Sequence, residues 1–109
     1  MKLNRQEKLA IEMVLNQAYQ RKESAREWVE SAKKLLPTEQ EAIEMKKTFE
    51  GQENFNEIQE NYKNAVGEEN ISREAWKEVV KLVNALGFNV SYYTYSGFRQ
   101  MVEIDAYPF

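Results

Sequence analysis

The sequence predicts a mainly α (α+β) fold: four to five helices, the first long or bent, followed by a C-terminal antiparallel β-hairpin packed on the last helix. Three observations carry this expectation. Apolar residues recur at steps of three and four as far as Leu86, the period of one helix face. Pro, Gly and capping residues punctuate that pattern, and after Gly87 it gives way to the alternation of a strand. With 109 residues, 42% apolar and 30% charged, the chain has the length and balance of a single folded domain, 1–109.

The first helix is expected over 4–36, where Ile11, Val14, Ala18, Ala25, Val29, Ala32 and Leu36 form one stripe. Within it, Ser24-Ala25-Arg26-Glu27 has the form of a capping box that would start a fresh helix. An unbroken helix of this length measures about 50 Å, whereas a globule of this size is roughly 34 Å across. The helix therefore either bends near residues 22–24 or buries its overhang against a second copy or a partner.

Pro37 stops that helix, and Thr38-Glu39-Gln40-Glu41 is a capping box for a second over 39–50, with Ala42, Met45 and Phe49 on its apolar side. The next apolar set, Phe55, Ile58, Tyr62 and Ala65, lies about 130° out of phase with the first. A break at Gly51 follows, then a third helix over 55–66, capped by Asn54 and closed by Gly67. Ser72 as N-cap, Ile71 stapled to Trp76, and Gly87 past the end place a fourth helix at 73–86. Strands are expected at 88–93 and 98–105 around a turn at 94–97, with Phe88, Val90, Tyr92, Phe98, Val102 and Ile104 facing inward and Gln100 interrupting the alternation. Such a hairpin is marginal alone and must pack on helices.

The composition excludes much chemistry. There is no Cys and no His, so disulfides, thiolate metal sites and the commonest general base are missing. No glycine-rich phosphate loop or calcium-loop spacing occurs, and the expectation is a non-enzyme with no cofactor and no metal. No apolar run approaches the roughly 18 residues of a membrane span, and the polar start resembles no signal peptide. The expected compartment is the cytoplasm, that of the host if the chain is phage-encoded.

The net charge of −3 is unevenly spread: residues 37 to 72 hold three Lys and nine Glu. Glu50, Glu53, Glu57 and Glu60 would form an acidic strip if the third helix reached back to residue 50, a surface able to imitate DNA toward a basic groove. Arg73, Lys77 and Lys81 form a basic row on the fourth helix, and the elements from Phe55 onward can be drawn as a winged helix-turn-helix. Glu74 and Glu78 beside that row, and a hairpin contributing only Arg99, leave few phosphate contacts, so nucleic acid is a disfavoured partner. Seven of thirteen aromatics fall in the last 22 residues. Phe88, Tyr92 and Phe98 are expected in the core; Tyr93, Tyr95, Tyr107 and Phe109, with Arg99, are the candidate contact surface.

In size, acidity, lack of Cys and His, and helix-rich body with a terminal hairpin, the chain resembles the small accessory proteins with which phages and mobile elements bind and block host machinery. The likeness is compositional and rests on no motif. It implies a non-enzymatic interaction or inhibitor protein acting on a host protein such as a defence nuclease, with a homodimer through the first helix as its expected self-association. Two alternatives stand beside it: a homo-oligomeric ligand binder that sequesters a nucleotide signal, and the winged-helix DNA-binding regulator.

Overall fold

Short polar signatures start each helix. The Asn4 side chain accepts from the Glu7 N–H at 2.8 Å while Glu7 accepts from the Asn4 N–H at 3.1 Å, a reciprocal capping box. Thr38 and Glu41 form the second box, as the sequence predicts. Thr48 Oγ1 accepts from the Gly51 N–H at 3.0 Å and caps the third helix. A computed structural model describes residues 2–95 and 99–105, without the side chains of Tyr95 and Arg99. Its elements are α1 (Arg5–Lys34), α2 (Glu39–Met45), α3 (Phe49–Ala85), β1 (Val90–Tyr95) and β2 (Arg99–Ile104).

Among the described residues there are three helices, not four or five. Helix α1 runs unbroken through Ser24, so the Ser24 box starts nothing. The phase break after Met45 is real but sits at residues 46–48, ahead of Gly51. Gly51 is the third residue of α3, where a Cβ would collide with the Met45 carbonyl oxygen and crowd Thr48 Oγ1. It permits the tight turn between two helices and does not end one. The expected helices 55–66 and 73–86 are one, with Gly67 and Ser72 in its interior. At 100° per residue Phe55, Ile58, Tyr62, Ala65, Ser72, Trp76, Val79 and Val83 stay within a sector of about 120°. That continuous stripe outweighs the cost of about 1 kcal/mol that Gly67 adds.

Helix α3 ends as expected at Gly87, whose φ of 94° is open to glycine at little cost. The Phe88 N–H donates to the Val83 carbonyl at 3.3 Å and the Gly87 N–H to that of Asn84 at 2.9 Å. This is a Schellman motif, and the buried contact of Phe88 with Val83 completes it. The strands pair antiparallel, with Val90 opposite Ile104, Tyr92 opposite Val102 and Tyr95 opposite Arg99. Thr94 thus belongs to the strand, opposite Gln100, and not to the turn.

Contacts divide the chain into two compact units, Met1–Glu23 with Ser72–Phe109, and Ser24–Ile71. In the first, Leu3, Leu15, Tyr19, Trp76, Val83, Phe88, Val102 and Ile104 form the core, with Ile11, Ala18, Val79, Val80 and Val90 packed against it. In the second, Ala25, Ala32, Ala65 and Phe55 are buried, and small side chains at three of these four positions let helices approach closely. There Trp28 Nε1 donates to Asn61 Oδ1 at 3.1 Å, and the Lys46 ammonium sits 4.5 Å from the Phe55 ring centre.

Two glycine substitutions test these assignments by urea denaturation. Gly67→Ala should raise stability by about 1 kcal/mol, because a Cβ there meets nothing within 4 Å. Gly87→Ala should lower it by about 1–2 kcal/mol, the cost of a left-handed non-glycine residue.

Candidate interaction surfaces

The hairpin is attached to the helices through backbone as well as side chains. On α1, Glu12, Asn16 and Gln20 stand four residues apart on one face. Glu12 Oε2 accepts from the Ile104 N–H at 2.9 Å. Asn16 Oδ1 accepts from the Val102 N–H at 2.7 Å while Asn16 Nδ2 donates to the Val102 carbonyl at 2.8 Å. Gln20 Nε2 donates to the Gln100 carbonyl at 3.0 Å. Four residues of helix advance about 6.0 Å and two residues of strand about 6.6–6.8 Å, so a row on α1 can serve every second residue of β2. The hairpin therefore packs on α1 as well as on the last helix.

Those bonds identify the pairs Val90–Ile104, Tyr92–Val102 and Thr94–Gln100 as the non-hydrogen-bonded pairs of the ladder. Their β1 members turn N–H and C=O away from β2. Gln100, which interrupts the apolar alternation, faces inward and accepts from the Tyr19 hydroxyl at 2.5 Å. Tyr19 also packs on Trp76, ring centres 5.4 Å apart, and on Tyr92 at 5.6 Å. Tyr92, expected in the core, is 52% exposed: one side of its ring lies on this cluster and the other meets solvent. Phe88 is buried as expected. At the hairpin base, Asp105 accepts from the Asn89 N–H at 2.7 Å and from Asn89 Nδ2 at 3.0 Å. The Asn89 backbone N–H, then its side-chain amide, hold the Asp105 carboxyl below its usual 3.8.

Orienting α1 toward the hairpin decides which of its apolar residues are buried. Leu15 and Tyr19 are buried, whereas Val14, expected in the stripe, is 54% exposed. With Ala10 and Ile11 it forms one wall of a groove whose other wall is Val79, Leu82 and Val83 of α3 with Leu86 just past its end. The groove encloses about 310 Å³ and every lining residue is apolar. Leu82 is 65% and Leu86 44% exposed, and exposed Leu9 and Met13 extend the apolar surface along α1. Sequence reasoning missed this site because it assigned Val14 to the interior; the surplus of apolar positions on α1 and α3 was the available signal.

Glu50, Glu53, Glu57 and Glu60 all lie on α3 and all are exposed, so the acidic strip is formed on one helix face. Glu60 also borders a shallow cavity of about 550 Å³ with Leu36, Asn56, Gln59, Tyr62 and Lys63. Arg73, Lys77 and Lys81 are exposed on α3, and Lys77 pairs with Glu74 at 3.3 Å. Because α3 is continuous from Phe49 to Ala85, the helix-turn-helix drawn from Phe55 onward has no turn. Tyr93 is 40% exposed and sits opposite Met101. Tyr95 and Arg99 are placed as facing strand residues, while their side chains, and Phe98, Tyr107 and Phe109 entirely, lie outside the described residues. Among the described residues no group of three His, Cys, Asp or Glu could hold a metal ion, and no helix is long and apolar enough to cross a membrane. Compared with known proteins, the chain matches no family model, no curated protein and no solved structure.

Asn16→Leu should destabilise the protein by roughly 2–4 kcal/mol in denaturant titration, because it leaves two main-chain groups of the buried Val102 without partners. Asp105 supplies a pH test. Its lowered folded pKa means its contribution is complete above the unfolded carboxylate value and is lost as pH falls through the folded one. Asp105→Asn should flatten the decline of the urea midpoint below about pH 4, while the wild type keeps it.

Proposed function

We propose that the chain is a non-enzymatic interaction protein that acts by occupying a surface of another protein, in the manner of a small inhibitor encoded by a phage or mobile element. The observation that carries this reading is the apolar groove between α1 and α3. Contiguous exposed apolar surface marks contact sites, and two helices walling an apolar trough suit an amphipathic helix laid between them. Covering the exposed halves of Val14, Leu82 and Leu86 offers roughly 2–5 kcal/mol before association costs.

The occupying helix belongs either to a target or to α1 of a second copy, whose groove would close a four-helix arrangement. The acidic strip of α3 supports a target with a basic face, and a host defence nuclease is the partner class to test first.

Light scattering on the wild type and on Leu82→Glu and Val14→Glu separates these occupants. A wild-type dimer that both variants convert to monomer, with helical circular dichroism retained, assigns the groove to self-association. A monomeric wild type should form a stoichiometric host complex that both variants lose. A monomer whose host complexes ignore both substitutions refutes the reading.

A further inference from the structure

The two edges of the hairpin are unequal. On the β2 edge, Glu12, Asn16 and Gln20 engage four of the six outward main-chain groups of Gln100, Val102 and Ile104. On the β1 edge the outward N–H and C=O groups of Val90, Tyr92 and Thr94 meet no hydrogen-bonding partner among the described residues. Beside Tyr92 of β1, a cleft of about 340 Å³ is lined by Trp76, Lys77, Val80, Lys81 and Asn84 of α3. Moreover, Val90–Tyr95 reads VSYYTY, with no charge and no Pro, the devices that ordinarily block pairing at an edge.

We propose that the β1 edge is a strand-addition site for an extended acidic segment of a partner protein. The main chain of the segment would continue the ladder beyond β1, as in other β-augmentation modes. Its alternate side chains would lie over Val80 and Tyr92, which with the largely buried Trp76 form the apolar part of the cleft. Charge decides the class of occupant. The lining holds two lysines and no carboxylate; Lys77 is engaged by Glu74, and Lys81 has no ion pair among the described residues. A second copy pairing through its own β1 would bring no carboxylate to Lys81, because that strand is uncharged. An acidic segment would. This surface is distinct from the apolar groove, and neither proposal depends on the other.

Selection of a displayed library of random short peptides on the full-length chain tests the proposal. The enriched peptides should be acidic and rich in β-branched residues. N-methylation at alternate peptide positions should weaken them about tenfold or more on one register and little on the other, because only one set of amides faces β1. Thr94→Pro should have a similar effect: it removes an outward N–H that the β1–β2 ladder does not use, and near-ultraviolet circular dichroism of the Tyr19–Trp76–Tyr92 cluster reports that the hairpin persists. Lys81→Glu should weaken binding about threefold to fivefold at low salt and less at high salt. Peptides indifferent to N-methylation, enrichment of neutral or basic sequences unaffected by Lys81→Glu, or no enrichment on folded protein would each overturn the proposal. A dimer that Thr94→Pro dissolves would overturn it in favour of a second copy.

Discussion

The Glu12, Asn16, Gln20 row is the constraint from which the surfaces of the hairpin-bearing unit follow. A two-stranded hairpin has two edges and little stability of its own, and Val102 and Ile104 are almost wholly buried. Their outward main-chain groups would be costly to leave unpaired there. A helix face answers this need because its four-residue repeat nearly matches the two-residue repeat of a strand. The match holds for three successive contacts, and it sets both the register and the rotation of α1 against β2.

That rotation has consequences on the opposite side of the helix. With Asn16 facing the strand, Leu15 and Tyr19 face the core, and Val14 turns outward beside Leu82 and Leu86. The exposed apolar groove is thus the counterpart of the polar attachment. The same asymmetry leaves β1 open: polar side chains of α1 bond the main chain of β2, while no side chain of α3 bonds that of β1 among the described residues. Tyr19 joins the two arrangements. Its ring packs on both of those aromatics, and its hydroxyl satisfies Gln100, the polar residue on the inward face.

Much of the local architecture was legible in the residues. The capping box at Thr38, the glycine C-cap at Gly87 and the alternation of the terminal strands each describe a local event whose energetics lie within a few residues. The errors share a cause. Ser24 and Ser72 carry the chemistry of helix starts, and Gly67 that of a helix end, yet all three lie inside helices. A cap contributes about 1 kcal/mol, and a long apolar stripe packed on neighbours contributes more. The continuous phase of α3 from Phe55 to Val83 is visible in the sequence and outweighs that punctuation. Gly51 departs from the expectation for a different reason: the obstacle to a Cβ there is the carbonyl of Met45, a contact that exists only once α2 and α3 are folded.

Of the candidate surfaces, the acidic strip and the basic row were legible because a helix wheel places charges without reference to anything else. The groove and the open β1 edge were not, since each is defined by what a neighbouring element leaves uncovered. The sequence by itself determined the helical body, the terminal hairpin, the positions of two caps and the absence of His and Cys chemistry, because these depend on residue type and short-range spacing. Only the tertiary structure decided which face of α1 meets the strand, which hairpin edge is bonded to a helix and which apolar side chains stay exposed. Those outcomes depend on pairing groups 80 to 92 residues apart, and no local preference encodes which of several polar or apolar rows wins that contact.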